Sequence, residues 1–197
     1  MAIQNICVFC GSRPGADPAF AETARQVGPH FKRHGVGFVY GGSRVGLMGL
    51  SADSCIASGV PTIGVIPRFL EARGEISHTQ LSELILVDTM HERKQIMSER
   101  ADAFIALPGG IGTLEEFAEI FTWGVLGLHS KPFGLLNING YYDHLAAFFD
   151  HLVAQKMMEP VFRSMILTDT TLDGLITQMK AYQTPIAPAA VIDKTKL

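Results

Sequence analysis

Short apolar runs rich in β-branched residues alternate along this chain with longer amphipathic stretches, and that alternation restricts the fold more than any other feature. Residues 3–9, 37–40, 62–66, 84–87, 104–107 and 133–137 read as strands, with a weaker seventh at 164–168. Helical periodicity fills the intervals at 18–34, 46–58, 91–100, 113–126, 141–155 and 171–182. A strand apolar on both faces must be covered on both faces, and a helix between successive strands supplies the cover and forces parallel pairing. The expectation is an α/β fold: a single Rossmann-like, doubly wound parallel sheet with helices on both faces. The 197 residues are ample for one core. Residues 1–183 are read as one domain and 184–197, with Pro185 and Pro188, as a flexible tail.

Charge and composition remove several function classes. A formal net charge of −3 and the lack of any Lys/Arg stripe argue against nucleic acid as a partner. No apolar run reaches the length of a membrane span and the first residues carry no basic leader, so the expected site of action is the cytoplasm. Charged residues make up only 18% against 47% hydrophobic, with a mean hydropathy of +0.22. Such a chain is expected to hide apolar surface between subunits, as a homodimer or higher homo-oligomer. Cys7 and Cys10 form a lone CxxC inside an apolar run, which reads as buried strand cysteines. His30 and His34 stand one helical turn apart without an HExxH pattern, so neither metal nor cofactor is expected.

In a doubly wound sheet ligands bind beyond the carboxyl ends of the strands. Three of those turns are rich in glycine: Gly11-Ser12-Arg13-Pro14-Gly15, Gly41-Gly42-Ser43-Arg44-Val45-Gly46, and Pro108-Gly109-Gly110-Ile111-Gly112-Thr113. Glycine lets backbone N–H groups converge on a ligand, and the helix N-terminus that follows favours an anion. None of the three has the Gly-Lys-Ser/Thr of a P-loop or the G-x-G-x-x-G of a dinucleotide site, which weakens both ATP hydrolysis and hydride transfer. The third turn is read as the seat of a nucleotide 5′-phosphate. Thr113-Leu114-Glu115-Glu116 leaves two readings open. It fits a capping box with Thr113 as N-cap and Glu116 reaching back. If the helix instead begins at Gly112, the Thr113 hydroxyl and nearby amides are free for phosphate. The run Met90-His91-Glu92-Arg93-Lys94 places two cations at a helix start, where the macrodipole disfavours them, so Arg93 and Lys94 are candidates for function.

Pro108-Gly109-Gly110-x-Gly112-Thr113-x-x-Glu116, preceded by Met90-His91-x-Arg93-Lys94, resembles the Lonely Guy (LOG) family of cytokinin riboside 5′-monophosphate phosphoribohydrolases, once commonly labelled lysine decarboxylases. The likeness runs over nearly the whole chain, through Tyr40-Gly41-Gly42, Gly64-Val65-Ile66-Pro67 and Gly134-Leu135-Leu136-Asn137. It departs at Ser43, where the family often has a third glycine and where a hydroxyl near the ligand would alter substrate preference. The resemblance implies Arg93 and Glu116 as catalytic residues. It further implies that Glu75, Arg93, Lys94, Gly109, Gly110, Ile111, Gly112, Thr113, Leu114, Glu115 and Thr122 bind substrate. The implied substrates are AMP and N6-isopentenyl-AMP, and the implied assembly is a dimer or larger with sites near the subunit interface. Two rivals accompany that reading. A non-catalytic nucleotide carrier would use the same turns without the Arg93–Glu116 pair, and a pyridoxal-phosphate decarboxylase would need a Schiff-base lysine such as Lys94 or Lys131.

Overall fold

The computed structural model describes residues 2–72 and 80–186. Its elements run β1 (Asn5–Phe9), α1 (Pro18–His34), β2 (Gly37–Tyr40), α2 (Gly46–Ala57), β3 (Thr62–Pro67), α3 (Arg68–Ala72), β4 (Glu83–Val87) and α4 (Met90–Arg100). They continue with β5 (Ala103–Ala106), α5 (Ile111–Val125), β6 (Phe133–Leu136), a 3₁₀ turn (Ile138–Gly140), α6 (Asp143–Ala154), α7 (Pro160–Arg163), β7 (Ile166–Asp169) and α8 (Leu172–Ala181). All strands pair in parallel in one sheet of order β4-β3-β2-β1-β5-β6-β7. The doubly wound Rossmann-like sheet expected from the alternation is therefore present. The short helices α3 and α7 went unread because a single turn carries no periodicity.

Side-chain alternation along the strands splits the core in two. Ile6, Val8 and Cys10 of β1 and its end face one layer with α1, α2 and α8; Cys7 and Phe9 face the other with α4 and α5. All three cysteines are buried free thiols, so the CxxC is strand interior. Ile186 packs against the second layer.

Helix α1 runs through Pro29, which removes one i→i−4 hydrogen bond and ordinarily costs about 3 kcal/mol. The repair comes from α2. The Ser54 hydroxyl donates to the Arg25 carbonyl that Pro29 leaves without a partner, and accepts from the Gly28 N–H at 3.0 Å. Gly28 permits the approach, since a Cβ there would collide with the Ser54 carbonyl. Helix α4 opens on Thr89, whose hydroxyl accepts from Glu92 N at 3.1 Å, while the Glu92 carboxylate accepts from Asp88 N at 3.0 Å. That local capping offsets the two cations behind it.

Candidate active site

The strand order reverses direction between β1 and β5, so the loops after these strands diverge and leave a crevice. The Gly11 N–H donates to the Pro108 carbonyl at 3.1 Å, tying the first glycine turn to the third. Leu47 N–H donates to Gly11 O at 3.0 Å and brings in the start of α2. Gly46 is a glycine for two reasons: its φ is +55°, and a Cβ there would collide with the Ser12 main chain. The result is a cleft of about 790 Å³ lined by the first and third glycine turns and by Leu47 and Met48. The rest of the second turn serves differently. Gly41 leaves room for the Arg93 guanidinium, and Ser43 is fully buried, with its Oγ accepting from Val45 N at 3.4 Å. Ser43, expected near the ligand, does not itself line the cleft.

Helix α5 begins at Ile111 with Gly110 as N-cap and no side-chain cap. Thr113 is then the third helical residue, which overturns the capping-box reading of Thr113 and Glu116, and the start falls one residue before the alternative at Gly112. The first paired amide is Leu114 N–H, donating to Gly110 O at 3.2 Å. Among the described residues none accepts from the N–H groups of Gly109, Gly110, Ile111, Gly112 or Thr113. Five consecutive unpaired donors in a turn and helix start that line a cleft are chemically able to receive an anion. A Cβ at Gly110 or Gly112 would meet nothing within 4 Å, whereas one at Gly109 would collide with the Thr113 side chain and lie 2.9 Å from Gly11 N. The fold demands glycine at 109; at 110 and 112 only an occupant of the cleft would.

Glu116 lies one turn beyond Thr113, on the same face of α5, and lines the cleft. Burial pushes its carboxyl up to about 7; the Arg93 guanidinium works against that rise and the Glu115 carboxylate adds to it. Arg93 is buried at the cleft floor, its Nε donating to Val65 O and its Nη2 to Gly41 O, each at 3.1 Å. The fork thus holds the carboxyl ends of β3 and β2 together rather than forming an ion pair with Glu116. Strand carbonyls, together with the capped α4 start, are what keep a cation at this helix end. Lys94 turns the other way, its ammonium paired with Glu115 and, at 3.1 Å, with Glu119. Burial opposes that charge, but the two carboxylates outweigh it and hold the lysine above its ordinary range.

Of the substrate-binding candidates, Arg93, Gly109, Gly110, Ile111, Gly112, Thr113 and Glu115 line the cleft with Glu116. Leu114 packs into the core instead, and Lys94 is held behind Glu115. Thr122 lies outside this lining; its hydroxyl donates to Ala118 O at 2.7 Å, and it borders a second depression with Phe121 and Met157. Glu75 lies outside the described residues. The sequence reading missed Tyr141, which lines the cleft and donates to Gly109 O at 2.6 Å, and Phe69 on α3. The strand-order rule pointed to Tyr141, since the loop after β6 flanks the loop after β5.

A parallel doubly wound sheet with unpaired helix-start amides and a carboxyl group in its switch-point cleft defines a Rossmann-like α/β protein. Residues 48–179 match the family described as possible lysine decarboxylase. The chain is 44% identical over 180 residues to a cytokinin riboside 5′-monophosphate phosphoribohydrolase of Arabidopsis thaliana, covering 91% of this chain and 82% of that one. It is 42% identical over 178 residues to the phosphoribohydrolase of that name from Rhodococcoides fascians, covering 90% of each. The chain belongs to this family, the LOG family. In fold alone it also resembles the molybdenum cofactor carrier protein of Chlamydomonas reinhardtii, with 20% identity, a TM-score of 0.69 and coverage of 91% and 97%.

Proposed function

We propose that this chain hydrolyses the N-glycosidic bond of adenosine 5′-monophosphates, N6-substituted ones included, releasing the free base and ribose 5-phosphate, and works as a homo-oligomer in the cytoplasm. The observation that carries the reading is a carboxyl group in the cleft, one turn beyond Thr113 on α5, whose start and preceding turn hold five amides without acceptors among the described residues. Both curated relatives above carry that activity in their names. The amides and the Thr113 hydroxyl hold the 5′-phosphate, and the ribose lies toward Glu116. As the C1′–N9 bond breaks, its electron pair leaves with the base and C1′ gains positive charge, which the Glu116 carboxylate stabilises. A water oxygen bonds to C1′, Glu116 takes its proton, and the departing base is protonated in turn. Arg93 fixes the cleft floor, and its charge opposes the rise that burial imposes on the Glu116 carboxyl. General-base assistance of this kind contributes about 10²–10⁴ in rate.

The lysine geometry disfavours the decarboxylase rival. Neither nominated lysine lines the cleft: Lys94 is paired with two glutamates, and the Lys131 ammonium donates to Ser98 O at 2.8 Å. Incubation with AMP and with N6-isopentenyl-AMP, followed by chromatography for free base and ribose 5-phosphate, tests the proposal. Binding of either nucleotide with no release of base would replace it with the carrier reading.

A further inference from the structure

The anion seat has a support that lies outside it. The Tyr141 hydroxyl, in the adjacent loop after β6, donates to the carbonyl of Gly109 at 2.6 Å. That carbonyl shares a planar trans peptide with the Gly110 N–H, so fixing the oxygen fixes the amide, which points the opposite way. The peptide is bounded by glycine on both sides, and a Gly–Gly unit reorients at little steric cost. The carbonyls on either side are tied separately, Pro108 O accepting from Gly11 N–H and Gly110 O from Leu114 N–H, so neither bond orients the peptide between them. The tyrosine is itself held. Its ring meets Phe20 edge-on at 5.1 Å and Tyr142 at 5.0 Å. Its loop is pinned by Tyr142 N–H donating to Asn137 Oδ1 at 2.7 Å, and by Asn139, at φ 50°, whose side chain donates to Asp17 at 2.9 Å.

We propose that Tyr141 is a positioning residue: by holding the Gly109 carbonyl it keeps the Gly110 N–H turned to the phosphate, and so sets how strongly the cleft prefers a nucleotide to its nucleoside. This rests on the phosphoribohydrolase reading of the cleft. Tyr142 supplies the control. Its hydroxyl donates to Leu107 O at 2.6 Å, but the nitrogen of that peptide belongs to Pro108 and carries no hydrogen. Losing that bond turns no donor away from the seat.

The test compares wild type, Tyr141→Phe and Tyr142→Phe, both of which keep the ring packing, by calorimetric titration with AMP and with adenosine. Tyr141→Phe should weaken AMP by about tenfold, the size of one lost hydrogen bond to a charged group, and leave adenosine within about twofold. KM for AMP should rise while kcat stays within about threefold, as loss of uniform binding requires. Tyr142→Phe should melt lower yet keep the AMP-to-adenosine ratio. Inorganic phosphate as a competitor should lose affinity in Tyr141→Phe alone, with no base or ribose in the cleft. Equal weakening of AMP and adenosine in Tyr141→Phe, an unchanged ratio, or the same loss of ratio in Tyr142→Phe would overturn the proposal. A wild type that binds AMP but releases no base would sink the hydrolase reading and leave this comparison intact.

Discussion

Burial lifts the Glu116 carboxyl to about 7, so its proton is exchanged around neutral pH and not in the usual carboxylate range. The proposed chemistry needs the ionised form, so kcat/KM for AMP should rise with pH through an inflection near 7. That lies about a unit above the second ionisation of a phosphate monoester, near 6. The stability linkage has the opposite sign. A carboxyl raised in the folded state costs nothing below its ordinary pKa and costs most once pH exceeds about 7. Glu116→Gln should therefore abolish turnover, keep AMP binding, and melt at or above wild type at pH 8, with the difference shrinking toward pH 5. A variant that melts lower at both pH values and still turns over would return Glu116 to a structural role. For Arg93→Lys, a single ammonium cannot reach both Val65 O and Gly41 O, and kcat should fall on the order of a hundredfold. Near-wild-type rates would show that charge alone suffices. The sequence singled out Arg93 because it violates the helix dipole; it could not show that two strand carbonyls, distant in the chain, resolve the violation.

Element-scale behaviour centres on the first turn of α5. Gly110→Ala and Gly112→Ala add a methyl into open space, so melting temperatures should stay within about 3 °C of wild type while AMP affinity drops and adenosine affinity holds. Gly109→Ala should instead destabilise by roughly 1–3 kcal/mol, since its methyl strikes Thr113 and crowds Gly11. Equal Tm losses at all three glycines would mean that the turn is shaped for the fold and not for a ligand. The glycine run was legible as a turn, yet the helix start was not. Thr113 and Glu116 make a plausible local capping box, but the Gly11–Pro108 hydrogen bond fixes where the chain leaves β5, and α5 winds from Ile111. Thr89 and Glu92 make the cap that forms, and that S/T-x-x-E signal was present in the sequence.

For the whole molecule, the apolar composition finds a structural counterpart on α6. None of its twelve residues is fully buried, and Phe148 is 54% exposed; after the end of α5, Leu126 and Leu128 are 59% and 62% exposed. We expect sedimentation velocity to show a species of at least twice 21.4 kDa, and Phe148→Asp to shift it toward the monomer. A wild type that sediments as a monomer at every concentration would mean that this surface is simply exposed.

The sequence by itself determined the sheet. Strands apolar on both faces and separated by amphipathic helices have one economical packing, and each element's identity is written in side chains a few residues apart. It also determined the glycine seat and the pairing of motifs that carries the family. Tertiary structure decided which of those residues share a cleft. Ser43 belongs to a glycine turn and Lys94 follows Arg93 in the chain, yet neither lines the cleft: one is fully buried and the other is bound to Glu115 and Glu119. Tyr141, some thirty positions after the seat, closes on Gly109 because β6 lies next to β5. Periodicity reports what each segment buries; only the order of strands in the sheet sets which loops meet, and that order is fixed by contacts between segments that the local pattern does not encode.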